Sequence, residues 1–294
     1  MKRVLALVMA VFMGISLAAC GKTEKKENVS QKNSKEPRII AGSVAVAEML
    51  NKLGVKIVGR PTTQYQLSSN LKEIPEVGLP MNPDLEKIKT LKPDLFVTSG
   101  ALQDMIGNRL KENGIKTEFC NLDSYNSVKD TIKKLGSNFG KEDNANKIID
   151  EFEKKEKEIL KGVNKDKKVK VMILFGAPGH FMLSSKNSFV GSLIEELGGE
   201  NIASQVNMKG QYVPFSLESA LKENPDVIFR MYHGYIDEAK KQVDEEFKNN
   251  PQWRKFKAIK ENKVYDLDPK TFGVTGDIKA IESLEKMKDY LYGV

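Results

Sequence analysis

The sequence predicts an α/β fold of two lobes, each a mostly parallel sheet flanked by helices, joined by one long connecting helix. Three observations predict it. Short apolar runs alternate with amphipathic stretches across residues 38–267, the pattern of parallel strands covered on both faces. The stretch 85–97 aligns without gaps to 217–229, and two shorter matches keep the same order, 46–54 with 190–198 and Leu122-Asp123 with Leu267-Asp268. Between the halves, residues 141–163 carry Ala145, Ile148, Ile149, Phe152, Ile159 and Leu160 at helical spacing among Lys and Glu. A helix of about 20 residues spans roughly 30 Å, a stiff connector rather than a flexible hinge. A ligand cleft is expected between the lobes.

The first residues read as a targeting segment. Lys2 and Arg3 precede an apolar run over 4–15, too short for a stable membrane span. Leu17-Ala18-Ala19-Cys20-Gly21 then resembles the bacterial lipobox. That resemblance implies a signal peptide over 1–19 and a lipid on Cys20, where several acyl chains on one residue anchor stably. The chain is thereby expected on the extracytoplasmic face of a bacterial cell membrane. The alternative is ordinary secretory cleavage near Ala19 with Cys20 free. Residues 20–36 contain almost no apolar side chain and read as a disordered tether. The lobes are then 37–139 and 165–294, with the connecting helix in 140–164.

In order, 38–42 reads as a strand, Ser43 as an N-cap, and 44–53 as a helix stopped by Gly54. A strand over 55–58, a loop-rich stretch over 61–80, a helix over 85–91 and a strand over 93–98 follow. Helices are expected over 105–113 and 128–139, with a strand at 117–121 between them. The second half opens with a strand over 168–175 and a tight turn at Gly176-Ala177-Pro178-Gly179. Pro225-Asp226 enters the apolar run Val227-Ile228-Phe229, which leads to Tyr232-His233-Gly234. His233 is one of 2 histidines, at the end of a strand, where open α/β sheets place their ligands.

Composition excludes several classes. Cys120 is the one thiol besides Cys20, so there is no disulfide framework, and its strand context reads as a small buried apolar residue. Removal of Lys2 and Arg3 lowers the formal charge from +7 to +5, and the lysines interleave with glutamates as on solvated helix faces. With no basic arm and no RNA-binding aromatic motif, nucleic acid is not expected as a partner. No G-x-S-x-G, P-loop or H-E-x-x-H occurs, which argues against an enzyme. A free divalent metal receptor would want more His and carboxylate ligands.

What remains is an exported binder. Met81 lies between Pro80 and Pro83 in a first-lobe loop, an unusual place for a core filler, although a packing residue under the loop stays open. A thioether from one lobe and the His233 imidazole from the other suit haem iron, whose two axial positions they would fill. Ser43, Val44 and Ala45 open a helix whose N–H groups suit an anion such as a haem propionate, with Arg60 or Tyr65 as helpers. Val213, Phe215, Tyr232 and Phe272 are candidates for the apolar slot or for the core.

At this point the chain resembles the haem-receptor lipoproteins of the iron-regulated surface determinant (Isd) system, solute-binding proteins of ABC importers of the long-helix-linked (class III) type. The resemblance is carried by Glu76-Val77-Gly78-Leu79-Pro80-Met81-Asn82-Pro83, Ile228-Phe229-Arg230-Met231-Tyr232-His233-Gly234, Gly198-Gly199-Glu200-Asn201, and Val264-Tyr265-Asp266-Leu267 with Phe272-Gly273. It implies haem as transported ligand, Met81 and His233 as the two axial ligands, and delivery to an importer permease. It also implies that acids at the lobe tips, Glu200 and Glu76 or Glu73, dock on permease arginines, and that a surface protein hands haem over upstream. His180 departs from the small polar residue expected there and reads as a rim residue or a second ligand. A siderophore or corrinoid receptor of the same fold is the alternative, and an exported surface enzyme a further one.

Overall fold

Two β-sheets and the helix between them organise the chain. The computed structural model describes residues 36–163, 168–177, 180–205, 210–232 and 236–293, and residues 37–294 form one unit. The first lobe runs β1 (Ile39–Ala41), α1 (Val44–Lys52), β2 (Ile57–Gly59), β3 (Gly78–Leu79), β4 (Asn82–Pro83), α2 (Leu85–Thr90), β5 (Leu95–Ser99), α3 (Gln103–Glu112), β6 (Thr117–Cys120) and α4 (Tyr125–Asn138). Its sheet is wholly parallel, in the order β2-β1-β5-β6, and β3 and β4 form a separate hairpin. The connecting helix α5 is Glu142–Lys161. The second lobe runs β7 (Lys170–Ala177), β8 (His180–Ser184), α6 (Phe189–Glu196), β9 (Glu200–Asn201), β10 (Tyr212–Pro214), α7 (Leu217–Glu223), β11 (Val227–Tyr232), α8 (Ile236–Asn249), α9 (Lys257–Lys260), β12 (Val264–Asp266) and α10 (Ala280–Tyr292). Here β9 and β11 pair with β7, and β12 with β11, in parallel ladders, but β8 runs antiparallel between β7 and β10.

The repeat in the sequence is a repeat in space. α2 leads to β5 as α7 leads to β11, and each helix is left through a residue at positive φ, Lys92 (φ 46) and Asn224 (φ 45). The Pro that follows each bars right-handed helical backbone at that residue. The next Asp then clasps the neighbouring strand in the same way twice. The Arg38 N–H donates to Asp94 Oδ2 at 2.7 Å and the Lys170 N–H to Asp226 Oδ2 at 2.9 Å. In return the Asp94 and Asp226 N–H groups donate to the Arg38 and Lys170 carbonyls, each at 2.8 Å. The second match holds too: α1 and α6 both end before a glycine at positive φ, Gly54 (φ 75) and Gly198 (φ 74).

Strand alternation divides the core. Ile39, Ala41 and Val97 face one way, into an apolar core that continues through Ile148, Ile149 and Phe152 of α5 to Val171, Ile173, Phe229 and Met231 of the second sheet. Ile40 and Phe96 face the opposite way, into a small core of the first lobe, and Met172, Leu174 and Ile228 into one of the second. Each fully buried Leu, Ile or Phe contributes about 1.5–3 kcal/mol, so the shared core ties both lobes to α5. Cys120 is buried and free, as its strand context predicts, and burial pushes its thiol up to about 12.

One helix start and the make-up of one sheet differ most from expectation. α4 starts at Tyr125, because Ser124 and Ser127 form a capping box: Ser124 Oγ accepts from the Ser127 N–H at 3.1 Å, and Ser127 Oγ from the Ser124 N–H at 2.9 Å. The second sheet is more mixed than the strand–helix alternation implies, since β8 returns on β7 as a hairpin partner before the chain reaches α6.

Candidate functional site

The carboxyl ends of β1, β5 and β6 in one lobe and of β7, β11 and β12 in the other are where a ligand is expected to lie. On the first-lobe side, β1 leads directly into α1. Ser43 caps this helix, but its Oγ accepts from the Val46 N–H at 3.5 Å, the outer limit of a hydrogen bond. The N–H groups of Val44 and Ala45 belong to the first helical turn, where the helix ladder supplies no acceptor. Thr98, on adjacent β5, is fully buried, and its hydroxyl has no partner among the described residues.

Arg60 and Glu76, expected in two separate roles, share one ion pair of 2.8 Å. The Arg60 guanidinium also donates to the Pro61 and Lys72 carbonyls, each at 3.1 Å, and its Nε is buried without a partner among the described residues. A hydrogen bond from the Thr62 hydroxyl, then the one from Arg60, holds the Glu76 carboxyl below its ordinary range. Tyr65 is exposed, its backbone N–H donating to Thr63 Oγ1 at 3.0 Å. Met81 occupies the turn between β3 and β4 and is 55% exposed, so it does not pack under the loop.

On the second-lobe side, alternation along β11 settles three neighbours. Met231 points into the shared core. Arg230 and Tyr232 point the other way, toward α8: Arg230 donates to Asp266 at 2.6 Å and Asp244 at 2.7 Å, and the Tyr232 hydroxyl donates to Asp266 Oδ1 at 2.9 Å. Lys240 completes the cluster, 2.9 Å from Asp266. Tyr232 is thus buried in the second lobe's own core, and Phe272 is buried in the shared core with its ring 6.2 Å from that of Tyr290. Neither side chain is open to a ligand in this structure. Val213 is buried and Phe215 stacks on Trp253 at 5.6 Å. Glu200 is half-buried in β9. His233, Gly234, Cys20, Pro178 and Gly179 lie outside the described residues, as does the side chain of His180.

Sequence reading missed a polar contact across the lobes. Asp123, after β6, accepts a hydrogen bond from the Gln211 side chain beside β10. Burial pushes the Asp123 carboxyl up and outweighs that bond. Next to it the Tyr212 hydroxyl is pushed up by burial and then by Asp123, and its ring lies 4.3 Å from that of Phe175. The Asp123 Oδ1 and Tyr212 hydroxyl have no hydrogen-bond partner among the described residues. The Leu122-Asp123 match with Leu267-Asp268 marked Asp123 as a strand end but carried no hint of what lay opposite. No group of three or more His, Cys, Asp or Glu able to hold a metal ion occurs among the described residues.

Residues 39–271 match a family model described as periplasmic binding protein. The chain is 34% identical over 288 residues to a Staphylococcus aureus protein called high-affinity heme uptake system protein IsdE, covering 97% of each chain. Among solved structures it is similar to an ABC transporter substrate-binding protein from Listeria monocytogenes, with a TM-score of 0.83 and 35% identity over 88% of this chain and 100% of that one. It is also similar to S. aureus IsdE complexed with heme, with a TM-score of 0.81 and 34% identity over 87% of this chain and 99% of that one.

Proposed function

The chain belongs to the periplasmic binding protein family, and we propose that it captures haem between its lobes and delivers it to an ABC importer permease for iron acquisition. It is an extracytoplasmic substrate-binding protein of an ABC transporter, not an enzyme. No helix among the described residues is long and apolar enough to cross a membrane, and in this reading the lipid on Cys20 holds the protein at the cell surface.

The observation that carries the haem reading is Met81: a thioether left half in solvent on a short hairpin, on the first-lobe side of the expected cleft. An exposed Met has no packing role there and is a soft donor for haem iron. In this reading Met81 and His233 take the two axial positions. The first turn of α1 at Ser43, Val44 and Ala45 receives a propionate, with Tyr65 exposed for a further contact. Arg60, held by Glu76, serves the propionate through the field of its charge. Glu200 and Glu76 face the permease, and a haem-donating surface protein loads the site. The resemblance to a protein named for heme uptake, along nearly the whole of both chains, supports this reading.

Titration of the purified protein with haem tests it. The expected result is a saturable one-to-one complex with a six-coordinate, low-spin visible spectrum. His233→Ala and Met81→Ala each lose one axial bond and change that spectrum. Spectra unchanged in both variants would remove the ligand assignment, and no saturable binding would remove haem. Saturable binding of a ferric siderophore or a corrinoid in its place would support the alternative.

A further inference from the structure

Large apolar side chains exposed among the described residues are Tyr65, Leu79, Met81, Met105 and Ile236. A soluble protein normally scatters such residues, and a cluster marks a binding surface. Three of these five lie on two elements that one hydrogen bond joins. Leu79 and Met81 are 55% exposed and belong to the β3–β4 hairpin, where Leu79 stands opposite Asn82. Met105 is 56% exposed in the first turns of α3, while Ile106 and Leu110 carry the buried face of that helix. Residues four apart on a helix share a face, so Met105 lies on the face of Arg109. The Arg109 guanidinium donates to Asn82 Oδ1 at 3.0 Å, which fastens that face of α3 to the hairpin beside Met81. Leu79 and Met81 thus flank Asn82 on the hairpin, Met105 precedes Arg109 by one turn of α3, and one polar tie joins the two elements. Ile236, exposed at 37%, begins α8 in the second lobe, three residues after His233.

Resting on the haem reading above, we infer that Leu79 and Met105 form an apolar lip that grips the porphyrin ring itself, so that the protein also binds metal-free porphyrins. The chemistry follows from the residue types. Neither Leu79 nor a second thioether is needed to fill two axial positions. A flat macrocycle whose centre met Met81 would instead extend over both side chains, and covering apolar area is favourable whatever the centre of the ring contains. Leu79 shares the hairpin of Met81, the residue that would bond the iron, and α3 is tied to that hairpin, which commits the lip to the same ligand rather than to a second copy of the chain. A polar siderophore would gain nothing from it, so the lip is a specificity device for an apolar macrocycle.

The test compares haem with metal-free protoporphyrin, followed by quenching of porphyrin fluorescence, in the wild type and in Met105→Ser, Met105→Leu and Met81→Ala. The wild type is expected to bind both ligands. Met105→Ser weakens both by about four- to tenfold, the loss expected when a half-covered Met is removed. Its haem complex keeps the low-spin spectrum, because no axial ligand has changed. Met105→Leu restores both affinities, and Met81→Ala weakens haem far more than the metal-free ring. Wild-type protein that binds haem but not the metal-free ring would overturn the lip and leave the haem reading standing. So would unchanged affinity in Met105→Ser, or a high-spin haem spectrum in that variant. Concentration-dependent dimers that Met105→Ser abolishes would assign the patch to a second copy and also overturn it. A wild type that binds neither ligand removes the haem reading and the lip with it.

Discussion

The two lobes are built on one unit and differ in what is added to it. In both, a helix ends at a positive-φ residue, Pro-Asp follows, and the Asp clasps the next strand through its carboxylate and its own N–H. The first lobe adds the β3–β4 hairpin outside its four-stranded sheet. The second inserts β8 and β10 into the sheet itself. The difference teaches a division of labour: the shared unit aims the strand ends, and the additions carry the side chains that can meet a ligand or the other lobe. Met81 stands on the hairpin and Tyr212 on β10.

The comparison breaks most severely where the lobes meet. The Gly276 N–H donates to the Leu122 carbonyl at 2.8 Å, and a Cβ at Gly276 would stand 2.5 Å from Val128 and 2.7 Å from Phe189. Gly276→Ala forces both lobes to shift and is expected to cost about 1–3 kcal/mol in thermal unfolding. A loss below about 0.5 kcal/mol would mean that this junction is loose.

The two clasps separate next. Asp226 is partly buried and also bonds Lys257 at 2.7 Å, whereas the Asp94 clasp is exposed. Asp226→Ala is expected to cost about 1–2 kcal/mol and Asp94→Ala less. Burial raises the Asp226 carboxyl, but its bonds from Lys257 and the Lys170 N–H outweigh this and leave it below the ordinary value of 3.8. A depressed carboxylate stabilises the fold above its unfolded value and loses that contribution as pH falls through its folded value. The gap between wild type and Asp226→Ala, measured by denaturant unfolding, therefore closes below pH 3.8; a gap that persists there assigns the effect to packing.

The smallest effect is expected at the matched positive-φ residues. Asn tolerates left-handed backbone, and the Asn224 Oδ1 also accepts from the Lys257 N–H at 3.0 Å, while Lys92 carries the strain without that bond. Lys92→Asn brings the first lobe toward the second and is expected to gain about 0.5 kcal/mol. A loss would show that Lys92 contributes something the second lobe does not need.

Much of the fold was legible because its signals are local. Pro93-Asp94 and Pro225-Asp226 mark strand entries, and the Ile148, Ile149, Phe152 spacing marks the buried face of α5. The hairpin around Met81 was legible only as a loop, since two-residue strands leave no periodicity to read. Tyr232 and Phe272 looked like pocket residues because an aromatic near a cleft and an aromatic in a core have the same composition. Arg60 and Glu76 looked independent because the loop-rich stretch between them hides their pairing.

By itself the sequence determined the two-lobed α/β order, the internal repeat, the stiff connector and the thioether on the first-lobe side, since periodicity, Pro and Gly act over a few residues. The tertiary structure alone decided which face of β11 is core, that Arg60 is held by Glu76, that Asp123 meets Gln211 and Tyr212 across the lobes, and that Arg109 of α3 bonds Asn82 on the hairpin of Met81. Those outcomes depend on contacts between residues far apart in the chain, whose energies appear only once the sheets have stacked and the polar groups have found or lost their partners.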